Sequence, residues 1–378
     1  MILESELRDA ELVRPLVEEI RGLAGRVGRR IRIMEVCGTH TVELRRCGIP
    51  SLLPRNITLI SGPGCPVCVT PTGYIDDALS LAADERAVVA TFGDMLKVPG
   101  TRGESLSRHT GGGRVRMVYS PAEVLRLAEA SDRPVVFLGI GFETTIPAVA
   151  AVFLKAHREG RRNVFLYPAF KAVVPALKAL LADPRRAIDA FLLPGHVSVI
   201  LGTEPYRFLE RGGGLPAVVA GFEPLDMIYA ILLILRQLVE GSRKVENAYP
   251  RAVKAEGNAR ARSVIDELTE PRDDLWRGLG WIPASGRGLR REFRAMDAAE
   301  AFGLPPLENH DPPGCLCGGV IQGKSAPPEC SLFGRKCTPE SPVGPCMVSS
   351  EGTCAAYLRY GGGEWGADEP AADERSDA

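Results

Sequence analysis

Short apolar runs punctuate the chain from residue 31 to residue 220. They lie at 31–36, 57–60, 87–91, 115–119, 134–140, 164–167, 188–193 and 217–220. Each is short and nearly continuous in apolar side chains, which predicts strands buried on both faces. Helical patterns separate them, so the class is α/β with parallel sheets. Residues 7–26 precede this region. Leu7, Leu12, Val13, Leu16, Val17, Ile20 and Leu23 form one broad stripe there and predict an amphipathic helix. Ser120-Pro121-Ala122-Glu123 is a helix start, with Ser as N-cap, Pro next and Glu three residues on. Gly-Phe-Glu occurs at 141–143 and again at 221–223, each time after a strand and before a helical run, at 144–158 and 225–240. After residue 241 the composition changes. A helix rich in Ala and Arg is expected at 251–269, followed by irregular chain around Trp276 and Trp281. The expected division is an N-terminal helix (1–30), a first α/β domain (31–130), a second (131–240), a helical and irregular C-terminal domain (241–362) and a disordered acidic tail (363–378).

Composition narrows the function classes. With 378 residues, 45% hydrophobic and 25% charged, the chain matches ordinary globular proteins. A net charge of −1 gives no electrostatic reason to expect nucleic acid. The N-terminus carries Glu4 and Glu6 where a signal peptide would be basic and then apolar. The longest apolar run, 227–235, is far short of the roughly 20 residues that span a bilayer. A cytoplasmic protein without a membrane segment is therefore expected. Ten cysteines in that compartment point to metal or redox chemistry rather than a disulfide framework. Four lie in 37–68 and six in 315–354.

The expected strand ends carry most of the reactive side chains, and ligands of open α/β sheets bind at that rim. Gly62-Pro63-Gly64-Cys65-Pro66-Val67-Cys68 places two thiols on a tight turn before a helix. That is either a redox pair or part of a metal site, with buried structural thiols as the plain alternative. Glu35-Val36-Cys37-Gly38-Thr39-His40-Thr41 adds Cys37 and His40. Cys37, His40, Cys65 and Cys68 form a donor set that suits zinc or a soft, low-valent iron. Cys47 is read as structural. Further along the rim stand Asp94 and Lys97, then Glu143, Thr144 and Thr145, and then His196, a candidate proton carrier. No Gly-Lys-Ser/Thr follows the glycines of 102–113, so nucleotide binding has no support.

The second block holds Cys315, Cys317, Cys330, Cys337, Cys346 and Cys354. Four thiolates suit a [4Fe–4S] cluster or a zinc ion, and six leave a spare pair. A cluster beside a dithiol would form an electron path.

These motifs together resemble one family. The stretches are 35–41, 62–68, 91–95, 141–145, 194–197 and Gly344-Pro345-Cys346-Met347-Val348-Ser349-Ser350-Glu351-Gly352. They are similar to those of the hydrogenase maturation family HypD, over about 30–360. The resemblance implies two Rossmann-like parallel-sheet α/β units plus a C-terminal iron–sulfur cluster domain. It implies a redox-active assembly scaffold rather than a conventional turnover enzyme. Such a scaffold works with a HypC-type chaperone, takes cyanide from a HypE-type donor and builds the Fe(CN)2CO unit of [NiFe]-hydrogenases. Cys37 would hold that iron, with Cys65, Cys68, His40, His196 and Glu143 in the reacting site. The [4Fe–4S] ligands would be Cys315, Cys330, Cys337 and Cys354, and the redox pair Cys317 and Cys346, with Cys315 and Cys317 able to exchange roles. The competing reading is an iron–sulfur thiol–disulfide oxidoreductase acting on protein disulfides. It would need Cys65 and Cys68 but not Cys37. A two-zinc protein is a third.

Overall fold

The computed structural model describes residues 6–83 and 86–361; the first five residues and the acidic segment 363–378 fall outside them. All eight expected strands are present, and three more join them. They run β1 (Ile31–Glu35), β2 (Ile57–Ser61), β3 (Val88–Thr91), β4 (Val115–Met117), β5 (Val135–Gly141), β6 (Val164–Lys171), β7 (Ala190–Pro194), β8 (Ala217–Ala220), β9 (Val245–Asn247), β10 (Thr269–Trp276) and β11 (Gly280–Leu289).

Two sheets form. The first has the order β2-β1-β7-β8-β9 and is parallel throughout. The second has the order β10-β11-β6-β5-β3-β4. Its four strands β3–β6 are parallel, and the β10–β11 hairpin adds antiparallel to β6. The protein is thus mixed α/β with two parallel-sheet units. The units interleave along the chain: β1 and β2 belong with β7–β9, and β3 and β4 with β5 and β6. The sheets therefore do not follow the division at residue 130 expected from the sequence. Apolar runs mark strands but say nothing of which strand lies beside which.

Alternation along each strand sends side chains to different cores. In β1, Met34 faces the core between the sheets, while Ile31 and Ile33 face the outer core beneath the helices Ala10–Val27 and Pro224–Glu240. In β5, Val136, Leu138 and Ile140 point inward and Val135 and Phe137 outward. The helices Thr72–Ala83 and Val173–Ala182 contribute Ile75, Ala78, Leu81, Ala176 and Leu177 to the shared middle core.

Two local expectations change. The helix expected at 251–269 is shorter, Ala259–Leu268, with Asn258 capping it by accepting the Ala261 N–H at 3.0 Å. The chain around Trp276 and Trp281 is the β10–β11 hairpin and not irregular. Its segments carry Pro, Gly and adjacent charges and lack a clean period of two. Tertiary contacts hold it: Lys171 Nζ lies 2.8 Å from Asp274 Oδ2, and the Trp276 indole donates to Ser285 at 2.7 Å. At residue 123 the expected start holds in part. Glu123 accepts the N–H groups of Tyr119 and Ser120, each at 2.9 Å, and the helix is Glu123–Glu129. Among the described residues no helix is long and apolar enough to cross a membrane.

Candidate functional site

Strand order places the site. In the first sheet the chain moves outward from β1 to β2 in one direction and from β7 to β9 in the other. The reversal lies between β1 and β7, so Cys37 and His196 emerge on either side of it. The second sheet reverses between β3 and β5, beside Asp94 and Glu143. Such reversals open crevices at strand carboxyl ends. One cavity of about 200 Å³ joins both rims, lined among others by Cys37, Thr39, Thr144, Thr145, His196 and Glu351. Cys37 caps the helix Gly38–Arg46, Thr145 caps Ile146–Arg158, Val173 begins Val173–Ala182 and Pro194 caps Gly195–Leu201. Four helix N-termini therefore converge here, and each favours negative charge.

Cys37 is buried, and the N–H groups of Thr39 and His40 face its sulfur. Burial outweighs them and pushes the thiol up to about 11, with the Glu351 carboxylate adding to the rise. Glu351 accepts the Thr39 hydroxyl at 2.7 Å, and its own pKa is raised by burial. Gly38 meets Glu351 so closely that a Cβ there would lie 2.6 Å from the Glu351 Cβ.

His40 takes a different place from the one expected. Its Nε2–H donates to the Gly221 carbonyl at 2.9 Å, which leaves Nδ1 buried and unpartnered. Burial lowers its pKa to about 4. The ring stacks on Phe222 at 4.7 Å, and His196 stacks on the other face of Phe222 at 3.9 Å. The expected set of Cys37, His40, Cys65 and Cys68 does not assemble. Among the described residues no three His, Cys, Asp or Glu side chains meet in a way that would hold a single metal ion. His196 is exposed at the cavity rim, with its pKa lowered by partial burial. Glu143 accepts the Val173 N–H at 3.0 Å, its second oxygen is buried without a hydrogen-bond partner, and burial raises its pKa to about 7.

Cys65 caps the short helix Pro66–Val69, its sulfur accepting the Cys68 N–H at 3.2 Å. All ten cysteines are thiols in this structure. Cys65, Cys68, Cys317, Cys337, Cys346 and Cys354 belong to the middle core, and Cys315 packs against it. Cys346 is the junction: Cys317, Cys354 and Cys68 all act on its sulfur. These neighbours hold Cys346 well below the usual thiol range, while burial above all raises Cys68, and the contacts with Cys317 and Cys346 raise Cys354. Cys315 contacts Cys317 and is raised in turn.

A cluster of several irons spaces its thiolates around a body larger than one ion, and a cysteine-rich C-terminal block is compatible with iron–sulfur binding. Cys315 and Cys317 converge on Gly344, where a Cβ would lie 2.7 and 2.6 Å from their sulfurs. The Val343 N–H donates to Cys337 at 3.3 Å, the kind of amide contact that tunes cluster sulfurs. Cys330 stands outside the core group, its thiol 3.6 Å from the Gly314 carbonyl. Cys47 packs against the outer core, in line with a structural role.

Three residues beyond the expected site belong to it. Glu351 lies in a motif noted for its cysteine, Phe222 in the repeated Gly-Phe-Glu, and Glu35 in the apolar run of β1. The carboxylate of Glu35 within that run was its visible signal.

The fold and site define an α/β protein with a cysteine at a crevice between two sheets and a buried chain of thiols leading to a cysteine-rich C-terminal block. The family model for HypD, described as the hydrogenase formation hypA family, matches residues 11–361. The chain is 42% identical over 372 residues to the hydrogenase maturation factor HypD of Rhodobacter capsulatus, covering 96% of this chain and 99% of that protein. It is 44% identical over 364 residues to HypD of Azotobacter vinelandii, covering 94% and 96%. To HypD of Escherichia coli it is 42% identical over 361 residues, covering 94% and 97%. The chain belongs to the HypD family.

Proposed function

We propose that this protein is a [NiFe]-hydrogenase maturation factor: a cytoplasmic, redox-active scaffold on which the Fe(CN)2CO unit is assembled. The observation that carries this reading is the Cys37 sulfur in a small crevice ringed by helix N-termini. A soft thiolate suits low-spin iron, and the helix ends favour the negative charge that cyanide ligands bring. Iron is cargo here, held by Cys37 and completed by a HypC-type chaperone over the open side, with cyanide delivered by a HypE-type donor. His196 at the rim carries protons, and Thr144 and Thr145 offer hydroxyls to the ligands. Glu143 and His40 support the crevice from beneath.

The thiol chain supplies electrons. With Cys65 and Cys68 oxidised to a disulfide, the Cys346 thiolate attacks the Cys68 sulfur. The Cys65–Cys68 bond breaks, Cys65 leaves as thiolate, and a Cys68–Cys346 bond forms. Cys317 then attacks Cys346, which frees Cys68 and leaves a Cys317–Cys346 disulfide. Two electrons have moved to the Cys65/Cys68 pair. Cys315, Cys330, Cys337 and Cys354 would hold a [4Fe–4S] cluster, which would supply single electrons, two in all, to the Cys317–Cys346 disulfide and return it to thiols; Cys315 and Cys317 remain exchangeable in these roles.

The test is Cys37→Ala, purified anaerobically with the HypC-type partner. Loss of the infrared bands of bound CN and CO is expected, and their retention would overturn the iron assignment. The Cys68–Cys346 contact also favours a second reading, a thiol–disulfide oxidoreductase for protein disulfides. That protein would keep full disulfide-reducing activity in the Cys37→Ala variant and lose it in Cys68→Ala.

A further inference from the structure

Glu35 stands where the strand pattern calls for an apolar side chain. It follows Ile31 and Ile33 on one face of β1 and is 4% exposed. A carboxyl in such a place destabilises a sheet unless its oxygens are bonded. One oxygen is bonded twice. Oε1 accepts the Thr41 hydroxyl at 2.9 Å and the Ser61 hydroxyl at 2.6 Å. Thr41 lies in the helix that Cys37 caps, and its hydroxyl is also 3.4 Å from the Cys37 carbonyl. Ser61 ends β2 directly before the Cys65–Cys68 turn and pairs with Glu35 in register. The Glu35 carbonyl accepts the Gly62 N–H at 2.8 Å.

We propose that Glu35 is a positioning residue that fixes the Cys37 turn and the Cys65–Cys68 turn relative to each other. The two turns already touch, since the Gly38 N–H donates to the Gly64 carbonyl at 3.2 Å. A backbone contact alone leaves each turn free to pivot about it. The carboxyl adds a second, side-chain anchor on both. The clamp reaches the C-terminal block as well. Arg45, the cation that faces Glu35, lies over the ring of Tyr357 at 3.2 Å, in the helix that carries Cys354. The consequence for iron assembly rests on the function proposed above; the clamp itself does not.

Two measurements on the full-length protein test it, the first on its reduced form. One is the alkylation rate of Cys37, read by peptide mass spectrometry. The other is the equilibrium between the Cys65–Cys68 disulfide and glutathione. Thr41→Val is expected to raise the Cys37 rate by roughly tenfold and leave the disulfide equilibrium alone, the size of effect one buried hydrogen bond carries. Ser61→Ala is expected to do the reverse. Glu35→Leu should change both, while Glu35→Gln, which keeps an acceptor for the two hydroxyls, should stay within about twofold of the parent on the same grounds. Unchanged readings in Glu35→Leu would overturn the clamp. So would equal changes of both readings in each single-arm variant, which would mean general loosening. If Glu35→Leu does not fold, the two single-arm variants decide. The assays contain no iron and no partner, so a Cys37 that never binds iron leaves their outcome untouched.

Discussion

Cys346 has the most distinctive chemistry in the chain. Cys317, Cys354 and Cys68 surround its sulfur and lower its pKa below the usual thiol range, which favours its thiolate over those of its neighbours. Thiolates attack disulfides and thiols do not. Cys346→Ser should therefore leave a Cys65–Cys68 disulfide intact when reductant reaches only the C-terminal block. Quenched alkylation followed by peptide mapping would detect this, and normal reduction in the variant would remove Cys346 from the path. Glu143 makes a different prediction. Burial raises its pKa from 4.5 to about 7, so between those values the folded chain binds a proton that the unfolded chain has released. Its contribution is present below pH 4.5 and is lost as pH rises through 7. A shift from 4.5 to about 7 corresponds to on the order of 3 kcal/mol. Glu143→Gln should flatten this part of the stability–pH curve in thermal or denaturant unfolding.

Among the structural elements, the loops that follow β1 and β2 depend on close backbone approach. A Cβ at Gly64 would collide with the Cys37 backbone nitrogen and Cα. Gly64→Ala must push the two loops apart. Overpacking of this kind costs about 1–3 kcal/mol. A lowered Tm together with faster Cys37 alkylation is expected; a lower Tm with unchanged alkylation would place the damage elsewhere. The two Gly-Phe-Glu turns show how one local pattern serves two purposes. After β5, Phe142 packs near Trp276 and Glu143 turns inward to the Val173 N–H. After β8, Phe222 separates two imidazoles, and Glu223 faces outward to Arg8 through two hydrogen bonds of 2.6 and 3.0 Å.

For the molecule as a whole, the two sheets and the C-terminal block differ in what holds them. The outer cores contain no residue of 303–361. The block is built of short helices and turns, and its longest helix is Thr353–Tyr360. It meets the sheets in the middle core, where Ile321, Met347 and Ala355 pack beside its buried cysteines. Small units of this kind rely on ligation for stability. With the cluster proposed for this block, chelation of iron should therefore expose 303–361 to limited proteolysis while both sheets resist. Equal cleavage within the sheets would show that the block contributes to the stability of the whole.

The apolar runs at residues 31–220 were enough to locate eight strands, because burial on both faces is written into consecutive residues. The same runs placed Cys37, Cys65, Cys68, Glu143 and His196 at strand ends, where a rim site belongs. The cysteine spacing separated the rim thiols from the C-terminal block. Each of these is a local property of neighbouring residues. Strand order is not local. Whether β1 lies beside β3 or β7 depends on contacts across more than a hundred residues, and so does the crevice that this order opens. The hairpin around Trp276 was illegible for the same reason: its strands exist through β6, Lys171 and Asp274 rather than through their own pattern. His40 looked like a partner of Cys37 at a spacing of three, yet its ring turns to Gly221, 181 residues away, and to Phe222 beside it. Cys346 and Cys68 read as members of separate motifs, and only the packing of the middle core brings their sulfurs together.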